Sequence, residues 1–193
     1  MNTKFLGKTL VASALVLTTL GTGLHSSYLG LDTNKIVKTA KAEEKMTDGQ
    51  LWNKVKLSLI DSTIINGNEN ETVKVTYTDI NGHSSNVEST ANFDGSTIST
   101  PSKFSNLNSI DITKVNVSAD DFNIRLGGKT TWETFVKSLS EKGLLTPGQK
   151  VTIQAVDPTN SSKTTVTGTV GVGVTNDNGD TLTKRFINKI TIE

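Results

Sequence analysis

Glu71-Thr-Val-Lys-Val-Thr-Tyr-Thr78 alternates apolar and polar side chains, which puts Val73, Val75 and Tyr77 on one face of an extended strand. Lys150-Val-Thr-Ile-Gln-Ala155 does the same with Val151, Ile153 and Ala155. Alternation of this kind marks strands buried on one side only, the pattern of an antiparallel sheet with one covered face. Both runs lead into an Asp, Asp79 and Asp157. Asn81-Gly82 and Asn178-Gly179 predict tight hairpin turns, because both residue types tolerate positive φ; Asn66-Gly67 and Asp94-Gly95 are weaker versions.

A helix is predicted upstream of each strand. Thr47-Asp-Gly-Gln50 has the capping-box form, in which the Thr hydroxyl and the Gln side chain each satisfy a free backbone N–H of the first turn. Leu51, Trp52, Val55, Leu59 and Ile60 then recur at helical spacing and form one apolar stripe. Thr130-Thr-Trp-Glu133 predicts a second helix capped by Thr130 and Glu133, with Trp132, Phe135, Val136 and Leu139 as the stripe and Gly143 as its left-handed end. Pro147-Gly148 marks the turn that follows.

The two segments align. Trp52 matches Trp132 at a spacing of 80, Val73 and Val75 match Val151 and Ile153 at 78, and Lys114-Val-Asn-Val117 matches Lys189-Ile-Thr-Ile192 at 75. The expected fold is therefore α+β: two related helix-plus-antiparallel-strand units of about 75 residues, 43–120 and 121–193, after a signal peptide at 1–42. Whether they share one core is open at this level.

The leader is read from Lys4 and Lys8, the short apolar run Thr9–Leu20, and the small-x-small end Ala40-Lys41-Ala42, with cleavage expected after Ala42. The apolar run is too short to anchor a chain stably in a bilayer. Removing 42 of the 193 residues leaves 151 and removes five lysines against one acid, so the formal charge moves from +1 to −3. That acidic balance, with no basic patch interleaved with aromatics, argues against nucleic acid as a partner. The chain has no cysteine. An exported protein held by its core alone fits Gram-positive bacterial secretion and release to the outside.

Chemistry-bearing motifs are few. Without cysteine, and with His83 the single histidine after the leader, a Cys–His pair or multi-histidine zinc site is excluded. His83 falls in a predicted exposed turn. Asp177 and Asp180 flank Asn178-Gly179 and invite a calcium reading, but the spacing is not that of an EF-hand loop and a hairpin tip explains it. No catalytic residue, metal ligand or cofactor is assigned. Thr165-Val-Thr-Gly-Thr-Val-Gly-Val-Gly-Val-Thr175 reads as one long strand, with Val166, Val170, Val172 and Val174 inward and Thr165, Thr167, Thr169, Gly171 and Gly173 on a flat outer face. An ordinary solvated face is one reading and a partner-docking surface the other; these five are the candidate partner-binding residues.

The Ala40-Lys41-Ala42 leader end, the absence of cysteine and the opening Thr47-Asp-Gly-Gln-Leu-Trp-Asn-Lys-Val-Lys56 resemble the small exoproteins of staphylococci, most nearly the Ear-type exoproteins carried on pathogenicity islands beside superantigen genes. The resemblance implies a secreted, virulence-associated product. Proteins of that type have been likened to penicillin-binding proteins and β-lactamases. This chain departs from their pattern: it has no Ser-x-x-Lys, Ser-Asp-Asn or Lys-Thr-Gly, only Lys129-Thr-Thr and Lys163-Thr-Thr. The function expected is a non-enzymatic binding module for a host protein or cell-surface component. The alternatives are a secreted inhibitor of a host enzyme, or a protein similar to penicillin-binding proteins and β-lactamases that lacks their catalytic motifs.

Overall fold

The computed structural model describes residues 46–116, 120–176 and 181–193. The leader with Ala40 and Ala42, Val117, and the Asp177–Asp180 loop with its Asn178-Gly179 turn lie outside the described residues.

Helix α1 runs Asp48–Asp61, and its capping box closes as the sequence predicts: the Gln50 N–H donates to Thr47 Oγ1 at 3.1 Å and the Thr47 N–H to Gln50 Oε1 at 2.9 Å. Strands β1 (Glu71–Asp79), β2 (Ser84–Thr90) and β3 (Phe104–Lys114) follow. The short β4 (Arg125–Gly127) leads directly into α2 (Gly128–Glu141), which is followed by β5 (Lys150–Val156), β6 (Lys163–Thr169), β7 (Gly173–Val174), β8 (Thr181–Thr183) and β9 (Ile187–Ile192). Seven strands form one sheet in the order β2-β1-β3-β9-β5-β6-β7, and β4 pairs with β8 beside it. All pairings are antiparallel, so the fold is α+β.

One row of apolar side chains crosses six strands: Val87, Val75, Ile110, Ile190, Ile153 and Val166 stand opposite one another in register, and all are buried. Both helices press their stripes into the core built on that face. The two indoles serve the same purpose in each half. Trp52 Nε1 donates to the Val73 carbonyl at 3.0 Å and Trp132 Nε1 to the Val151 carbonyl at 2.9 Å, so each buried Trp fills volume and satisfies its one polar atom on the strand that follows its own helix. At the helix contact Ser58 and Ser138 meet, their hydroxyls 3.0 Å apart; small side chains there let the helices come close. The halves share a single core.

Four expectations need correction. The last strand's counterpart is not Lys114–Val117: Ile110 and Ile112 occupy the places of Ile190 and Ile192, at a spacing of 80, while Val115 is exposed and Asn116 leaves the strand with φ +55°. Thr130 does not cap α2. Strand β4 delivers an extended Gly127 as N-cap, the helix starts at Gly128, and no side chain caps it. Asp94-Gly95 is not a hairpin turn but a short 3-10 turn, in which the Asp94 carboxylate accepts from the Ser96 N–H at 2.9 Å.

The fourth concerns 165–175, which is a hairpin rather than one strand. β6 ends at Thr169, the chain reverses through Gly171 (φ +85°) and Gly173 (φ +115°), and Val172 at the tip is 80% exposed instead of inward. Glycine permits those left-handed conformations, so the alternating pattern could not continue straight through. Gly168 is inward and has a different duty: a Cβ there would stand 2.6 Å from Trp132 Cζ2, so the absent side chain makes room for the indole.

Trp52→Ala and Trp132→Ala should each lower unfolding free energy by about 3–5 kcal/mol in urea titrations, since each removes a buried aromatic and its hydrogen bond. A large loss at one site with little at the other would show that the indoles are not equivalent.

Candidate functional site

The face opposite the helices is where sequence and structure together place a surface. Thr165, Thr167 and Thr169 lie on that face of β6, half-exposed, with Val166 and Gly168 turned to the core. Gly171 and Gly173 belong to the turn beyond, so the structure does not bring them into the same flat face. Thr167 is instead continued sideways. Its hydroxyl lies 3.1 Å from that of Thr152, and the register carries the row on through Thr191, Ser109 and Thr76 to Asn86. Six strands thus contribute six uncharged side chains bearing hydroxyl or amide groups, over about 24 Å at the usual strand spacing.

A parallel row two residues away reads Glu88, Lys74, Asp111, Lys189, Gln154 and Thr165. Its charges alternate in sign from strand to strand, and Lys189 Nζ meets Asp111 Oδ1 at 3.3 Å. Opposite charges facing each other across a ladder attract, so the row adds little net field. A neutral hydroxyl row beside a self-compensated one makes a flat surface that both donates and accepts hydrogen bonds. Sequence reading found only the β6 part of it, because register across strands far apart in the chain is not written in any one segment.

The molecule's other polar concentration is buried. Glu71, the first residue of β1, is in phase with Val73 and Val75 and fully enclosed. Its Oε2 accepts the N–H groups of Asn66 and Gly67 at 2.7 and 2.8 Å, clamping the turn between α1 and β1, while Oε1 has no hydrogen-bond partner among the described residues. Lys114 Nζ donates to the carbonyls of Ile64, at 2.9 Å, and Lys184; buried Lys184 reaches Asn66 Oδ1. Burial pushes the Lys114 amine down to about 7, with the Glu71 charge opposing that shift and the Lys184 charge adding to it. The cluster ties the α1–β1 turn to the segment before β9. A cleft of about 430 Å³ beside it is lined by Lys114, Arg185, Phe186 and Asn188 among others.

Two further groups carry less. His83 sits in the β1–β2 turn, 78% exposed, 3.7 Å from Asp79, whose carboxylate is held below its ordinary value chiefly by the His83 backbone N–H. Ser138 donates to Asp61 at 2.8 Å and receives Lys142, a hydroxyl–amine–carboxylate set at the seam between the helices in which the hydroxyl is buried and the Asp61 carboxylate is half-exposed. That set packs α1 on α2 and also lowers the Asp61 carboxyl, mainly through the Ser138 hydroxyl.

Residues 47–192 match the family described as a domain of unknown function, DUF4888, and the chain belongs to that family. No curated protein matches it. Among the described residues no helix is long and apolar enough to cross a membrane.

Lys114 sets a pH dependence with a definite sign. Between about 7 and its ordinary 10.5 the unfolded chain holds a proton that the folded chain lacks, so this residue makes stability rise with pH across that window. The slope contributed is at most about 1.4 kcal/mol per pH unit. Urea midpoints should climb from pH 7 to 9.5, and Lys114→Met should flatten the climb; an unchanged slope in that variant would place the titration elsewhere.

Proposed function

We propose that this protein is a secreted, non-enzymatic binding module that docks a host protein or cell-surface component on the open face of its sheet. The observation that supports it is the uncharged row from Asn86 to Thr167, which crosses six strands with no described helix above it. Such a surface makes many modest hydrogen bonds over a wide area, and the charges in the adjoining row alternate in sign, with Lys189 and Asp111 already paired. Rigidity favours the same use: strands fixed by a shared core hold the hydroxyls in place, so little side-chain entropy is lost when a partner lands. Export is part of the proposal and rests on the leader and on the resemblance to staphylococcal exoproteins. An enzyme inhibitor would use the same face, blocking its target by complementarity.

Saturable capture of a partner from host plasma or neutrophil lysate is the expected result with the purified protein. Thr191→Glu and Thr167→Glu, which put carboxylates into the row, should abolish capture and change stability by no more than about 1 kcal/mol, the span of strand propensities. Full capture by both variants would move the site off this face. A captured protease or oxidase that loses activity on binding would select the inhibitor reading.

A further inference from the structure

The two edges of the seven-stranded sheet are built differently. At the β6 edge, Gly173 and Val174 of β7 pair with Thr169 and Gly168, and the chain then lays Asn176 along the rest: Asn176 Oδ1 accepts the Thr167 N–H at 2.7 Å and its Nδ2 donates to the Thr165 carbonyl at 3.1 Å. A side-chain amide thereby stands in for a neighbouring strand. Among the described residues the β2 edge has no such cover. All seven of its residues pair with β1 in one unbroken register, with no bulge, proline or lysine in Ser84-Ser-Asn-Val-Glu-Ser-Thr90, the features that usually keep an edge from pairing again.

The hydrogen-bond phase says which groups point outward. Asp79 N donates to His83 O and Ala91 N to Glu71 O, so the odd-numbered residues of β2 bond to β1 and Ser84, Asn86 and Glu88 turn their N–H and C=O groups away from it. Among the described residues none of these three has a backbone partner on that side; the Thr90 carbonyl takes the Phe93 N–H. The edge is also self-complementary. In an antiparallel pairing with itself centred on Val87, the whole of 84–90 is used, Asn86 stands opposite Glu88, Ser84 opposite Thr90, and Val87 meets its own copy on the core side. Centring on Glu88 would set two carboxylates against each other, and centring on Asn86 would use only 84–88.

We propose that β2 is a dimerisation edge, pairing antiparallel with β2 of a second copy of this chain about a two-fold axis at Val87, so that Asn86 bonds across to the partner's Glu88. The two sheets then join into one of fourteen strands, twice the seven of a single chain. Their open faces become continuous.

Sedimentation equilibrium or light scattering on the purified protein reads this directly, with twice the chain mass expected. Asn86→Glu sets carboxylates against each other across the axis, and Asn86→Pro removes an outward N–H while leaving the bonds to β1 in place. Each should return the mass to one chain with an unchanged far-ultraviolet spectrum. Asn86→Glu combined with Glu88→Lys restores opposite charges and should restore the doubled mass. If Asn86→Pro fails to fold, Asn86→Glu and its rescue decide. A wild-type protein of single-chain mass at every concentration tested, or a dimer that survives Asn86→Glu unaltered, overturns the proposal.

Discussion

Everything else in this fold hangs on the short pairing between β3 and β9, Ser109 to Asp111 against Lys189 to Thr191. Among the described residues it is the one place where strands from the two halves of the chain hydrogen-bond in the main sheet. Ile110 and Ile190 face each other at its centre and are fully buried, and the helices above meet through Ser58 and Ser138. Hydrogen-bonded strands below and small side chains above close the seam from both sides. The apolar row on one face and the hydroxyl row on the other both cross this seam, so neither surface would exist in a separated half.

The sequence reads well wherever the deciding interaction is local. The Thr47–Gln50 box is satisfied within three residues, and alternation in β1 and β5 needs only one buried face. It reads poorly where a distant segment decides. Thr130 is a better cap than Gly127 by residue type, yet pairing of β4 with β8 sets where α2 begins. Lys114–Val117 resembles Lys189–Ile192 in composition, but register with β1 sends β3 out of the sheet before Val115. In 165–175, Val and Gly alternate too evenly to show that Gly171 and Gly173 serve the backbone, not the face.

The buried charge cluster has one sign in the sequence. Glu71 occupies a core phase of β1, two residues ahead of Val73, and an acid in that phase needs donors brought to it. Its own donors, the Asn66 and Gly67 N–H groups, are near in the chain, but the lysines that gather round that turn, Lys114 and Lys184, lie 43 and 113 residues beyond Glu71 and cannot be read locally. The open face poses the same problem in milder form. Its threonines are visible one strand at a time, and their union into a row depends on five pairings spread over the chain.

The central place of β9 governs the order in which the molecule can assemble. A chain made from its N-terminus produces β1, β2 and β3 early, but β3 keeps one edge and Ile110 one flank uncovered until Ile187–Ile192 arrive. The last strand inserts between two that already exist, β3 and β5. Contacts that far apart in sequence are slow to form, because a long loop must close before burial repays it. Until that strand is in place, the sheet of the first half keeps an open edge where β3 will later be paired.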